Sequence, residues 1–426
     1  MTNRTHTMEA REAMVRPLGK GIGFLDREMD AGEIRTLGWN LLREDLSLPT
    51  AVLYEEKLAH NLAWMQKFAE SYGAKLAPHG KTTMAPKLFA RQLKAGAWGM
   101  TLATVQQVRV AYEHGIRRVL MANQVIGQQN METISRLLED RQFEFICLLD
   151  SPELAETLGQ FFRSRGQRLN VLLEVGVRGG RTGIRNREQL QALSAVLDSW
   201  KRTLVLCGVE LFEGLLHDEN GIRDFLQNAV DVTKQLLQEN RFQRSPIILS
   251  GAGSAWFDVV ADVFSQARFD AEVELLLRSG CYLTHDAGVY RDAQARMMKE
   301  NPVAQKMAPG LVPALHLWAY VQSIPEKNMA IVGFGKRDVA FDLGLPIPAL
   351  HFRPGQQAPT PAAQEWKVTR LWDQHASLQI PDDADVRVGD MIGFDISHPC
   401  LTFDKWRYLL VVDAKFHVIE IVETFF

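Results

Sequence analysis

Eight times between Lys75 and Tyr282 a short apolar run gives way to a longer amphipathic one, and this alternation constrains the fold more than any other feature of the chain. The short runs are "KLAPHG", "GMTLAT", "RVLMAN", "FEFICLLD", "NVLLEVG", "VLCGVELFEG", "IILSGAG" and "VELLLRSGCY". Their length and apolar density predict buried strands. Between them lie helix-length segments such as "TVQQVRVAYEHG", "SPELAETLGQFFRSRG" and "REQLQALSAVLDSW", several opening on a Ser, Thr or Asn cap. Strand then helix, eight times over, predicts a (β/α)₈ TIM barrel, with an open doubly wound sheet as the alternative.

The alternation stops near "ENPVAQKMAPGLVP", a Pro-containing linker, and β-like runs follow: "LHLWAYVQSI", "WKVTRLW", "DMIGFDIS", "RYLLVVD" and "FHVIEIVETF". The chain therefore divides into an N-terminal extension over 1–45, a barrel over 46–305 that includes a strand and helix in "TAVLYEEKLAHNLAWMQKFAE", and a mostly β domain over 306–426. Two domains suit 426 residues.

Composition excludes several function classes. Lys and Arg number 48 against 51 Asp and Glu, a net charge of −3 with no basic block, so nucleic acid is not an expected partner. The four cysteines, Cys147, Cys207, Cys281 and Cys400, are scattered without a CxxC, which fits a reducing compartment. The N-terminus holds no apolar core for a signal peptide, and no apolar run is long enough to span a bilayer. A soluble, cytoplasmic protein is the expectation.

In a barrel the reacting groups stand at the C-terminal ends of the strands, and phosphate commonly binds at the loops after strands seven and eight. Lys81, in "LAPHGKTTMAPK", ends the first strand, while "SGAGSAW" (250–256) and "RSGCY" are short Gly-containing turns after the seventh and eighth. Such turns let backbone N–H groups approach an anion. A lysine facing a phosphate cup points to pyridoxal phosphate.

The string "PHGKTTMAPK" resembles the Pro-His-x-Lys-Thr signature of the D-serine dehydratase and D-threonine aldolase family, within the alanine racemase-like pyridoxal phosphate enzymes. The likeness extends through "EVGVRGGRTGIR", "GVELFEG", "LSGAGS", "LRSGCY" and "SHPC". It implies that Lys81 is the Schiff-base lysine and that His79 and Arg181 contact the cofactor, with Arg178 competing for the second place. Ser250, Gly251, Gly253, Ser254, Gly280 and Tyr282 become phosphate ligands or turn-formers. It further implies a homodimer acting on a small D-amino acid.

Near the C-terminus, "DISHPCLTFDKW" places His398 and Cys400 two residues apart, and in extended chain both side chains share a face. Imidazole with thiolate favours zinc over harder ions. A core cysteine beside a loop histidine is the alternative, and the resemblance is what selects zinc ligands. The expected reaction is dehydration of D-serine to pyruvate and ammonia, or of D-threonine to 2-oxobutanoate, with zinc assisting loss of the β-hydroxyl. D-Threonine aldolase and amino-acid racemase are the competing activities. Asp338 and Asp342 read as turn or interface residues, and His375 as a residue lining the site or a structural histidine.

Overall fold

The computed structural model describes residues 14–17, 19–253 and 255–426. Its barrel strands are Lys75–Leu76, Met100–Leu102, Arg118–Gln124, Glu144–Leu149, Leu169–Val175, Leu204–Leu211, Ile247–Gly251 and Val273–Leu277, numbered one to eight below. Each lies within one of the eight apolar runs or extends one residue beyond it. All are parallel and neighbour one another in sequence order, and strand eight pairs back to strand one through Leu277↔Leu76. A bridge between His79 and Thr101, with Thr101 N–H donating to Pro78 at 2.9 Å, joins strands one and two and closes the ring. The helices between begin where the caps predict: Thr104, Ser151 and Asn186 side chains accept from the N–H groups of Gln107, Leu154 and Gln189.

Period-two alternation separates the two faces of this sheet. Leu120, Ile146, Leu172, Val205, Ile248 and Leu276 form a cluster of their own inside the ring. Their neighbours, such as Val119, Phe145, Val171 and Leu249, belong to the larger cluster shared with the helices. Two residues further along the inward parity come Glu174, Ser250 and Arg278, so the interior is apolar low in the barrel and polar at the C-terminal ends. Strand six needs an adjustment to join this layer. Val171 pairs with Leu206 but Leu172 pairs with Gly208, leaving Cys207 as an extra residue. The bulge re-phases the strand, so that Glu210 rather than Val209 faces inward. Gly208 is required there, because a Cβ would stand 1.9 Å from the Ile248 carbonyl oxygen.

The second domain is built on Leu315–Glu326, which pairs antiparallel with Met391–Asp395, Met329–Val332 and Thr50–Tyr54. Tyr408–Val412 runs parallel to Thr50–Tyr54 on its other side. Thr50–Tyr54, read from sequence as part of the 46–305 unit, thus hydrogen-bonds within the second sheet. All five of its residues are buried, and flanking strands on both edges offer more burial than a place beside the barrel. The helix Glu55–Ser71 returns the chain to the barrel, where Asn61 donates to Leu283 at 3.0 Å. Among the described residues, no helix is long and apolar enough to cross a membrane.

Candidate active site

At the C-terminal end of the barrel lies a polar cavity of about 180 Å³. His79, Lys81, Arg181, Glu210, Gly253 and Arg278 line it, together with Asn123, Glu174, Thr182 and Phe212. Lys81 sits in a short 3₁₀ turn, Gly80–Thr82, directly after the first strand. Met84, at φ 41°, closes this turn by donating to the Gly80 carbonyl, and Phe425 N–H in turn donates to Met84 at 2.9 Å. The C-terminal tail therefore pins the lysine turn.

Crowding by protein atoms withdraws water from the Lys81 ammonium and draws its pKa below the ordinary lysine value; the thiols of Cys400 and Cys281 oppose this, and Arg181 and Arg278 add to it. The side chain nevertheless opens onto the cavity mouth. Burial, followed by the charges of Lys81 and Arg278, holds His79 well below its usual value, so the ring is neutral. Among the described residues, its Nδ1 has no hydrogen-bond partner.

Arg278 and Glu210 form an ion pair on the cavity floor, and Arg278 also donates to the Leu211 carbonyl at 2.7 Å. Burial nevertheless pushes Glu210 up to about 8, with Arg278 opposing and the carboxylates of Glu174 and Glu213 adding to the rise. Burial outweighs the single cation because both partners are almost fully enclosed. Among the described residues, Glu210 Oε2 and Arg278 Nε are left without hydrogen-bond partners. Three unpaired buried polar atoms around one cavity are the signature of a site completed by a polar ligand.

The loop 177–183 is moored by carboxylates: Glu174 accepts from Thr182 and from Gln124, at 2.7 and 2.6 Å, and Asp150 accepts from Gly183 N–H at 2.9 Å. Arg181 lines the cavity, its guanidinium 4.3 Å from the centre of the Phe212 ring, whereas Arg178 does not.

The two turns after strands seven and eight interlock. Arg278 N–H donates to Gly251 and the Ser279 hydroxyl donates to Ala252, while Ala252, at φ 63°, donates to Glu213. A Cβ on Gly253 would stand 2.8 Å from the Phe212 ring, and one on Gly280 would stand 2.4 Å from the His79 carbonyl oxygen. These glycines keep space that any other residue would fill. Ser250 spends its hydroxyl on the Leu276 carbonyl, and the Tyr282 hydroxyl accepts from Gln92 away from the cavity. Neither those two side chains nor Gly251 and Gly280 line the cavity, and Ser254 lies outside the described residues.

His398 and Cys400 lie beside the lysine turn, where Cys400 Sγ and Thr82 Oγ1 are hydrogen-bonded at 3.4 Å. The segment is not extended. Pro399, at φ −58° and ψ −45°, starts a short helix, Cys400–Phe403, and its carbonyl accepts from both Thr402 and Phe403. Proline's fixed φ suits this first turn, and His398 still hydrogen-bonds Cys400. Asp342 Oδ2 stands 2.8 Å from His398 Nδ1. The hydrogen bond to Cys400, ahead of that to Asp342, raises His398 to about 9. Cys400 is held well below the ordinary thiol value, first by the hydrogen bond from Cys281, against the effect of burial, and then by His398 and Thr82.

A thiolate with an imidazole oriented by a carboxylate is a donor set suited to zinc. Among the described residues, no three His, Cys, Asp or Glu side chains already converge as a metal-holding group. His375 lines a separate groove on the second domain with Arg370 and Trp372, and Asp338 is a buried turn residue bonded to Gly335 N–H.

Residues 54–268, just over half of the chain, match the family described as alanine racemase, N-terminal domain. The chain belongs to the alanine racemase-like family. This family depends on pyridoxal phosphate. Residues 314–412 match a second family, described as a putative serine dehydratase domain. D-Threonine aldolase of Arthrobacter sp is 24% identical over 377 residues, covering 85% of this chain and 88% of the relative. The solved D-threonine aldolase of Filomicrobium marinum superposes with a TM-score of 0.73 at 23% identity, covering 91% of this chain and 96% of that one. D-threo-3-hydroxyaspartate dehydratase from Delftia sp. HT23 superposes with a TM-score of 0.70 at 20% identity, over 91% and 99%. A cysteine variant of that dehydratase has also been solved, in a metal-free form. Aldolases and dehydratases are lyases, and the kinship places this alanine racemase-like chain among enzymes of that class.

The orphaned polar atoms and glycine-kept space fit pyridoxal phosphate. Glu210 and Arg278 escaped the sequence reading. A charged residue directly after an apolar strand, as in "VELLLRSG", is the signal that could have found Arg278.

Proposed function

We propose that the chain is a pyridoxal phosphate-dependent dehydratase of small β-hydroxy D-amino acids, converting D-serine to pyruvate and ammonia and D-threonine to 2-oxobutanoate, with zinc held by His398 and Cys400. The observation that carries this reading is the placement of the His398–Cys400 pair against Thr82, the residue after Lys81.

Pyridoxal phosphate, when bound, supplies an electron sink for the charge left at Cα. The chain's residues do the rest. Lys81, the one lysine lining the cavity, holds the cofactor and, once freed from it, takes the Cα proton at Nζ; its lowered pKa favours the neutral amine that this task needs. Neutral His79 packs at the lysine side, and Arg181, set on the Phe212 ring, holds the cofactor's edge. The turn around Gly253, which lines the cavity, would receive the phosphate. Glu210 and Arg278 close the floor and exclude water. His398 and Cys400 would hold zinc, which would supply Lewis acidity to the β-hydroxyl and make it a better leaving group. Overall, water leaves across Cα–Cβ and one water returns as the imine hydrolyses to keto acid and ammonia.

Aldol cleavage is the second reading, favoured by the 85% coverage with the Arthrobacter D-threonine aldolase. It would break Cα–Cβ and give glycine plus an aldehyde. Incubation with D-serine, D-threonine, D-threo-3-hydroxyaspartate and the L-forms, with separate quantification of keto acid, ammonia, glycine and aldehyde, tests the proposal. Keto acid from the D-forms supports it, and glycine plus aldehyde as the only products overturns it. The proposal includes a homodimer, consistent with the exposed Phe341, Leu343 and Trp372 on the second domain, and a reducing cytoplasm that keeps all four cysteines free. Light scattering checks the first.

A further inference from the structure

The reading above leaves Cys281 without a task. It stands in the turn after strand eight, its sulfur 3.7 Å from Cys400 Sγ and 3.8 Å from Thr82 Oγ1. A disulfide would bring the sulfurs to about 2.05 Å. Two thiolates on one tetrahedral zinc, each at about 2.3 Å, stand about 3.8 Å apart, the edge of the coordination tetrahedron. The observed separation matches that edge.

Resting on the zinc reading of His398 and Cys400, we propose that Cys281 is a third protein ligand of the same ion. The ion then has two sulfurs and one imidazole, with one position open for the substrate hydroxyl, the usual arrangement of catalytic zinc: three protein donors and a vacancy. A two-donor site would leave most of the coordination to water. Two of the three ligands come from different domains, Cys281 from the barrel and Cys400 from the β domain, so the ion would also fasten one to the other beside Lys81. His398 is the donor that must turn, since its ring is now engaged by Cys400. Asp342 at Nδ1 leaves Nε2 as the metal-facing atom. Binding displaces the proton between the two sulfurs and the one on the ring, and the sulfurs select zinc over manganese.

The test is zinc X-ray absorption spectroscopy on the cofactor-loaded protein with one equivalent of zinc, its thiols kept reduced and counted. Two sulfur neighbours at about 2.3 Å are expected in the wild type and one in Cys281→Ser. Competition with a chromophoric chelator should show Cys281→Ser losing at least about 10-fold in zinc affinity, the least that removal of even a supporting contact costs. Bound zinc with a single sulfur neighbour in the wild type overturns the role of Cys281 and leaves His398 and Cys400 in place. Failure of the reduced protein to retain stoichiometric zinc overturns the metal reading itself, and with it this one. The wild-type spectrum decides even if the variant does not fold.

Discussion

Asp342 Oδ2 lies 2.8 Å from His398 Nδ1, and this contact orients the ring so that Nε2 is the nitrogen that would face an ion. Asp342→Ala should weaken zinc binding by about 10–100-fold, as loss of a carboxylate behind a metal-bound imidazole does. Asp342→Asn should retain part of that affinity through its amide oxygen. Zinc titration against a competing chelator reads both. Equal affinity in wild type and Asp342→Ala would remove Asp342 from the site.

Lys81 should carry the cofactor. Borohydride reduction of the yellow protein followed by peptide mapping should place the label on Lys81, and Lys81→Ala should lower turnover by about 10²–10⁴-fold or more, the span of a lost acid–base group. A label on any other lysine contradicts the assignment.

Gly280 has the His79 carbonyl oxygen where a Cβ would go. Gly280→Ala must move backbone at the ends of strands one and eight together, at a cost of about 1–3 kcal/mol. Thermal unfolding should show that loss, and cofactor affinity, read by absorbance titration, should fall with it. Unchanged cofactor affinity in a stably folded Gly280→Ala would place the phosphate elsewhere.

How much of this was legible before the structure depends on the range of the contact. The eight barrel strands were readable because parallel strands buried on both faces are near-continuous apolar runs punctuated by capped helices. Strands Met329–Val332, Ile347–Phe352 and Ala376–Gln379 were missed because they are short, partly exposed and, in "IPALHF", interrupted by proline. Lys81 and the two glycine turns could be placed by counting strands. Asp342 could not: its partner is 56 residues away, and nothing local marks it. Glu210 was hidden by the bulge at Cys207, which inverts the parity that alternation would assign. Pro399 turned an expected extended pair into a helix start, a preference the sequence does carry.

Glu210 predicts a pH dependence. Its folded value, about 8, exceeds the ordinary 4.5, so the folded protein keeps a proton that the unfolded chain gives up. Stability from this group is complete below about pH 4.5 and declines as pH rises to about 8, above which the loss is constant. In the cofactor-free protein, Glu210→Gln should flatten the fall of Tm across that window. Parallel Tm profiles for wild type and variant would show that Glu210 does not hold its proton.

The central claim, that zinc beside Lys81 drives loss of the β-hydroxyl, is tested most directly by following two steps on D-serine in deuterated buffer. Keto-acid release reports elimination, and deuterium entering Cα of recovered serine reports proton transfer at Lys81. Chelation should abolish keto-acid release while Cα exchange persists, and added zinc should restore release. Cys400→Asp, with a harder donor, should lose dehydration more than exchange. Keto-acid release at its original rate after complete removal of the metal would contradict the account.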